Sequence, residues 1–73
     1  MWFQKEKLAK AAKDNGLKLV WLAWRLGCSV ATVSRIASGQ AAASYRIAKE
    51  LLEVFGYDTV VAAIDWGRTS YAG

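Results

Sequence analysis

Few side chains in this sequence are suited to bond-breaking chemistry. The chain has no histidine and a single cysteine, Cys28, so it lacks the usual general base of a hydrolase, an internal disulfide and a Cys/His zinc site. Its six carboxylates form no evident catalytic constellation, and no glycine-rich phosphate loop is visible. We therefore expect no enzymatic activity, no metal and no cofactor. Ten lysines and arginines give a net charge of +4, which favours an anionic partner.

The positive charge is concentrated in the first half of the chain. Residues 1–40 carry seven basic and two acidic side chains, a net charge of +5, whereas residues 41–73 carry three and four, a net charge of −1. A basic partner surface is therefore expected in the first half. For the lysines between Lys5 and Lys13, the alternative is an ordinary solvated helix face.

The composition fits one small folded domain. Hydrophobic residues make up 55% of the 73 positions and charged residues 22%, which is typical of a compact globule. The longest apolar run, from Leu19 to Trp24, is too short to span a bilayer. The first residues lack the pattern of a secretory signal. We expect a cytoplasmic protein that does not bind membranes.

Glycines divide the chain into segments with helical patterns. Helices are predicted between these glycines over residues 3–14, 18–26, 30–37, 45–55 and 59–65. Ser29, Ser44 and Asp58 are placed to cap the last three. The predicted fold is an all-α bundle of about five short helices in residues 1–67, followed by a short tail, residues 68–73.

The most specific pattern lies in residues 19–39, which read Leu-Val-Trp-Leu-Ala-Trp-Arg-Leu-Gly-Cys-Ser-Val-Ala-Thr-Val-Ser-Arg-Ile-Ala-Ser-Gly. This segment resembles the helix-turn-helix of the Cro/C1-type (XRE) family of bacterial and phage repressors. The resemblance covers about residues 5–65, with the helix-turn-helix core at 18–38. In this register Ala23 is small where the two helices cross, and Gly27 takes the left-handed conformation of the turn.

In this family the second helix of the motif, here the one predicted over residues 30–37, is the recognition helix. The resemblance implies that its outer face enters the major groove of DNA. The residues on this face, predicted to read bases, are Val30, Ala31, Ser34 and Arg35. Arg35 suits a guanine, whose O6 and N7 accept two bonds from a guanidinium; a phosphate contact or a surface ion pair is the alternative. Val30 and Ala31 replace the polar residues that the family often has, which indicates contact with thymine methyls or readout of DNA shape.

The resemblance also implies contacts with the DNA backbone beside the recognition helix. The predicted phosphate contacts are Lys18, Ser29, Thr32, Ser38, Gln40, Ser44 and Arg46. Lys18 is expected to replace the glutamine that the family usually has at the position of Leu19. Ser29 is expected to act first as a helix cap.

Self-association is expected, because repressors of this type usually bind as two-fold dimers to half-sites about one helical turn apart. The last predicted helix is the candidate interface, through Val60, Val61, Ile64 and Trp66. The alternative is that Val61 and Ile64 only complete the core of one chain.

Two tryptophans occupy motif positions that the family usually fills with charged residues. Trp21 and Trp24 either close against the first helix, together with Trp2 or Phe3, or form an exposed patch for a protein partner. The predicted function is therefore sequence-specific binding of double-stranded DNA, by a small phage or mobile-element repressor that blocks transcription as a homodimer. The alternative is a helix-turn-helix interaction module, an adaptor or antagonist of another regulator, since the fold alone does not prove DNA binding.

Overall fold

Five short helices make up most of the domain. The computed structural model describes residues 1–69 and confirms the predicted all-α bundle. The helices, in chain order, are α1 (Lys7–Asp14), α2 (Leu19–Leu26), α3 (Val30–Ala37), α4 (Tyr45–Phe55) and α5 (Tyr57–Ala63). One hydrophobic core, to which every helix contributes buried side chains, holds them together.

Local chemistry sets the boundaries of α3 and α4, as predicted. The hydroxyl of Ser29 accepts a hydrogen bond from the backbone N–H of Thr32 at 3.1 Å. The hydroxyl of Ser44 does the same for Ile47 at 3.3 Å. Each bond satisfies one of the N–H groups that a helix start leaves without a partner. The start of the predicted recognition helix is therefore fixed by the sequence next to it.

The tight turn between α2 and α3 begins with a residue in the left-handed region. Gly27 has φ +68°, a conformation that strains any residue with a β-carbon. Beyond the turn α2 packs extensively against α3. Ala23 is buried between the two helices together with Leu22 and Val33, and its small side chain permits their close crossing.

The first helix begins later than the predicted 3–14. Phe3 forms an antiparallel β-bridge with Ile64 instead of entering the helix. Lys5 and Glu6 then form a turn, in which Glu6 has φ +64°, before the helix begins. The backbone N–H of Gln4 donates to the last carbonyl of α5 at 2.8 Å. Phe3 is fully buried by this arrangement. A contact between residues 61 positions apart in sequence thus overrides a local helical pattern.

The last helix also differs from the prediction of 59–65 with an Asp58 cap. It spans Tyr57–Ala63, Asp58 lies in its first turn, and Ile64 is already extended because it pairs with Phe3. Two residues of the predicted tail, Arg68 and Thr69, contact the domain. Thr69 accepts a hydrogen bond from the backbone N–H of Trp2 at 3.1 Å. The Arg68 guanidinium lies 3.9 Å from the centre of the Trp2 ring. The remainder of the predicted tail, residues 70–73, lies outside the described residues.

Candidate nucleic-acid interface

The solvent-facing side of α3 carries the four residues predicted to read bases. Val33, Ile36 and Ala37 face the core and are at most 5% exposed. The opposite face is exposed over its whole length and consists of Val30, Ala31, Ser34 and Arg35. Because the inward residues are spaced by three and four, these outward residues form one continuous surface.

Arg35 differs from the other arginines of residues 1–69 in the partners of its guanidinium group. Arg25 is paired with two glutamates of α4, Arg46 donates to the last carbonyl of α2, and Arg68 donates to a carbonyl in the loop after α3. The Arg35 guanidinium has no hydrogen-bond or ion-pair partner within the described residues. Of the alternatives considered for Arg35, an ion pair within residues 1–69 is therefore wrong. Its planar donors face outward from the recognition helix.

A groove lined with lysines runs between α1 and α3. It has a volume of about 580 Å³ and opens to solvent. Its polar lining consists of Lys5, Glu6, Lys7, Lys10, Lys13, Ser34 and Ser38. Four cations and one anion therefore lie beside the C-terminal half of the recognition helix, and Leu19 at the start of α2 borders the same groove. We call this feature the lysine groove.

The lysines of this groove were not among the residues that the sequence predicted for the site. The charge in the first half was apparent, and Lys7, Lys10 and Lys13 recur every three residues, which places them on one side of a helix. Their position next to Ser34 depends on how α1 crosses α3, and the sequence pattern does not give that angle.

Several predicted phosphate contacts already hold bonds within the protein. The hydroxyls of Ser29 and Thr32 lie 2.9 Å apart, and Ser38 donates to the carbonyl of Arg35 at 3.2 Å. Ser44 caps α4. These side chains stabilise helix ends, and each hydroxyl oxygen retains capacity for a further hydrogen bond. Lys18 and Gln40 are exposed and stand on opposite sides of the motif in sequence.

Arg46 has a structural role that the sequence did not indicate. Its Nη1 donates to the carbonyl of Leu26 at 2.8 Å, across from the Gly27 turn. The last carbonyls of a helix carry partial negative charge and lack helical partners, so a guanidinium stabilises them. Nearby, a hydrogen bond with Glu50 raises the pKa of Arg25. The ion pairs of Arg25 with Glu50 and Glu53 join α2 to α4.

The exposure of Trp21 and Trp24 decides between the two interpretations of these residues. Trp21 is 41% exposed and Trp24 77% exposed. Trp2 instead lies under Arg68, and Phe3 packs in the core beside α5. The hypothesis that the two tryptophans close against α1 is therefore wrong, and they form a surface.

The predicted dimer residues divide into two groups. Val60 is 1% and Ile64 3% exposed. Both side chains belong to the core of a single chain, so the prediction that they face a second copy is wrong. Val61 is half-buried and Trp66 is 50% exposed, and both border a shallow apolar groove of about 170 Å³ with Tyr57.

Chemical groups for other functions are sparse in the described part of the chain. Among residues 1–69, three or more His, Cys, Asp or Glu side chains nowhere gather closely enough to hold a metal ion. The same residues include no helix with the length and apolar character needed to cross a membrane. Cys28 is half-buried and packs against the core below the turn.

Comparison with known proteins agrees with this geometry. No curated protein and no solved structure matches the chain. The sequence profile of one family, described as a helix-turn-helix domain, matches residues 6–64. That range begins one residue before α1 and ends one residue after α5. On this match over most of its length, the chain belongs to the helix-turn-helix domain family.

Proposed function

We propose that the chain is a sequence-specific regulator of the Cro/C1 type that binds double-stranded DNA. A helix-turn-helix domain by itself suggests a DNA-binding regulator. In our proposal α3 lies in the major groove, and Val30, Ala31, Ser34 and Arg35 face the base edges. The regulator acts as a small phage or mobile-element repressor, which blocks transcription by occupying an operator.

The observation that carries this proposal is the lysine groove beside α3. The DNA backbone flanks any helix inserted in the major groove, so a DNA-binding helix needs cations at its side. Lys5, Lys7, Lys10 and Lys13 provide them next to Ser34. Of the six acidic side chains, in contrast, three lie on α4 and α5 and a fourth just after α5. The charge and the exposed face of α3 therefore lie on the same side of the domain.

The outer face of α3 supports readout by few base contacts. Arg35 provides a free guanidinium, which pairs best with guanine. Val30 is 42% exposed and has no side-chain donor or acceptor, so it contributes contact with a thymine methyl group. The rest of the specificity would come from the groove width and flexibility of the DNA, which depend on its sequence. These properties would affect how the DNA backbone fits against the lysine groove.

A homodimer completes the proposal, because one helix-turn-helix reads only a few base pairs. With Val60 and Ile64 in the core, the candidate interface is the remaining surface of α5 and the residues after it, Val61 and Trp66, with Tyr57 beside them. Trp66→Ala should shift the monomer–dimer balance toward the monomer. Sedimentation that finds an unchanged balance would place the interface elsewhere.

Selection from a random duplex library, read by sequencing, tests the proposed function. The expected result is an inverted repeat with half-sites about one helical turn apart. Arg35→Ala should then weaken binding to the selected site by about 1–3 kcal/mol and relax the preference at one position of each half-site. No enrichment at low salt, with folded protein, would refute the proposal.

A protein-interaction module is the second candidate, and the exposure of Trp24 favours it. An adaptor that binds another regulator would use such an aromatic surface. The two functions differ in their dependence on salt. DNA binding through lysines weakens steeply as salt rises, because counterions are released, whereas binding through an aromatic patch changes little.

A further inference from the structure

The outer face of α2 is an apolar surface that contact with DNA through α3 leaves unused. Val20 is 67% exposed, Trp21 41% and Trp24 77%. The solvent face of a helix is normally polar, and tryptophan is among the residues that contribute most to protein interfaces. We refer to these three side chains as the α2 patch.

The α2 patch combines a groove with a projecting side chain. The groove, of about 610 Å³, is lined by Gly16, Leu17, Lys18, Val20, Trp21 and Trp24. At its Gly16 end, apart from the two neighbours of Gly16 in the chain, no atom of residues 1–69 comes within 4 Å of the position that a β-carbon would take. Trp24, in the second half of α2, is the projection. An indole from outside the chain would fit the open end of the groove.

The two ends of the α2 patch differ in their charged side chains. Lys18 is exposed and immediately precedes α2. Near the other end, Arg25 is bound by Glu50 and Glu53 of α4, so two carboxylates surround one guanidinium. The side chain of Glu53 remains 56% exposed. Arg46 also lies at this end, where it donates to the carbonyl of Leu26, so the charges there balance and Glu53 is the exposed carboxylate among them.

We infer that the α2 patch binds the α2 patch of a second copy of this chain, about a two-fold axis perpendicular to α2. Such an axis lays the second half of one α2 over the first half of the other. Trp24 of each copy then enters the groove of the other copy beside Gly16. Lys18 of each copy faces Glu53 of the other. A two-fold interface requires a surface that is complementary to itself, and here the Trp24 side chain meets the groove and the exposed Lys18 meets the exposed Glu53.

The exposed area indicates a weak contact. Taking about 250 Å² for a tryptophan, the exposed fractions of Trp21 and Trp24 amount to roughly 300 Å² per copy. Two copies would bury roughly 600 Å² of tryptophan surface, about half of what a stable interface needs. The contact therefore forms when copies are concentrated. If the proposed function holds, that occurs between dimers bound side by side on DNA, where the local concentration is high.

Nuclear magnetic resonance of the full chain without DNA tests this inference. Each of the four indole N–H groups gives its own signal, so the signals of Trp21 and Trp24 can be followed separately from those of Trp2 and Trp66. The first two are expected to shift as the protein is raised from about 20 µM to about 1 mM. Trp24→Gln should raise the dissociation constant of this contact by about tenfold or more. The control Tyr45→Gln removes an aromatic side chain that is 85% exposed on α4 and should change it less than about twofold.

Charge reversal tests the orientation of the two copies. Lys18→Glu and Glu53→Lys each place like charges together at both ends of the contact, so each should weaken it by about fivefold. The double variant restores opposite charges and should return to within about twofold of the original chain. A double variant no better than either single one would overturn the two-fold arrangement. Indole signals of Trp21 and Trp24 that stay constant with concentration would overturn the contact itself.

These outcomes are distinct from those of the DNA experiments. A chain that self-associates through the α2 patch but selects no DNA sequence refutes the proposed function and supports this inference. A chain that selects an operator while its Trp24 signal is independent of concentration does the reverse.

Discussion

The lysine groove gives the sharpest quantitative prediction. Lys10 and Lys13 line it beside Ser34, so both should contact phosphates when α3 occupies the major groove. Each phosphate contact steepens the fall of log K with log salt by about 0.9. The variant Lys10→Gln/Lys13→Gln should therefore reduce the slope by about 1.8.

The same slope can be expressed as an affinity. Between about 50 and about 200 mM salt, two phosphate contacts account for roughly a twelvefold loss of affinity. The affinity of the double variant should therefore fall by roughly twelvefold less than that of the original chain over this range. Fluorescence anisotropy with a labelled duplex, repeated over this range of salt, measures it. Lys49→Gln on α4 is the control, because it removes one positive charge from an exposed site that does not line the groove, and its effect is compared with half the effect of the double variant.

Two results would refute the reasoning. One is a change of slope in Lys49→Gln that is half that of the double variant or more, which would mean that only the net charge matters. The other is an unchanged slope in the double variant, which would move the DNA backbone away from α1. Circular dichroism should find both variants folded, since exposed substitutions of this kind change stability by less than about 0.5 kcal/mol.

The remaining predictions concern stability, measured by urea denaturation. Ser29→Ala removes the cap of α3 and should lower the free energy of unfolding by about 1 kcal/mol, whereas Ser34→Ala, exposed on the same helix, should leave it nearly unchanged; equal losses would contradict the assigned cap. Gly39→Ala places a β-carbon 3.0 Å from the carbonyl oxygen of Phe3 at φ +81°. It should lower the free energy of unfolding by about 1 kcal/mol more than Gly16→Ala, because Gly16 has φ +68° but open space around it. A smaller difference would mean that the N-terminal segment moves away at little cost in free energy. Arg46→Met removes the hydrogen bond to the end of α2 and should lower the free energy of unfolding by about 1 kcal/mol. An unchanged free energy would mean that this bond does not stabilise α2.

The motif positions could be predicted because their reasons are local. Gly27 in its left-handed turn, the Ser29 cap and the inward spacing of Val33 and Ile36 each follow from a few neighbouring residues. The exposed face of α3 then follows from helix geometry. For this reason the register of the motif and the outward position of Arg35 were accessible from the sequence.

The features that the sequence did not predict depend on contacts between distant segments. Phe3 has a helical neighbourhood, yet its partner is Ile64, and this pairing shortens both terminal helices. Residues 19–26 are apolar on nearly every side, so the pattern could not decide whether Trp24 is covered. Only the packing of α1 and α4 leaves it exposed. The lysine groove likewise depends on the crossing of α1 and α3.

The central claim is that DNA lies along the outer face of α3 and the lysine groove. Backbone amide chemical shifts, recorded while a selected duplex is added, test it most directly. The account predicts the largest changes at Ala31, Ser34 and Arg35, with further changes at Lys10 and Lys13, and little change along α5. Changes centred on Trp21 and Trp24 instead, with α3 unaffected, would contradict it.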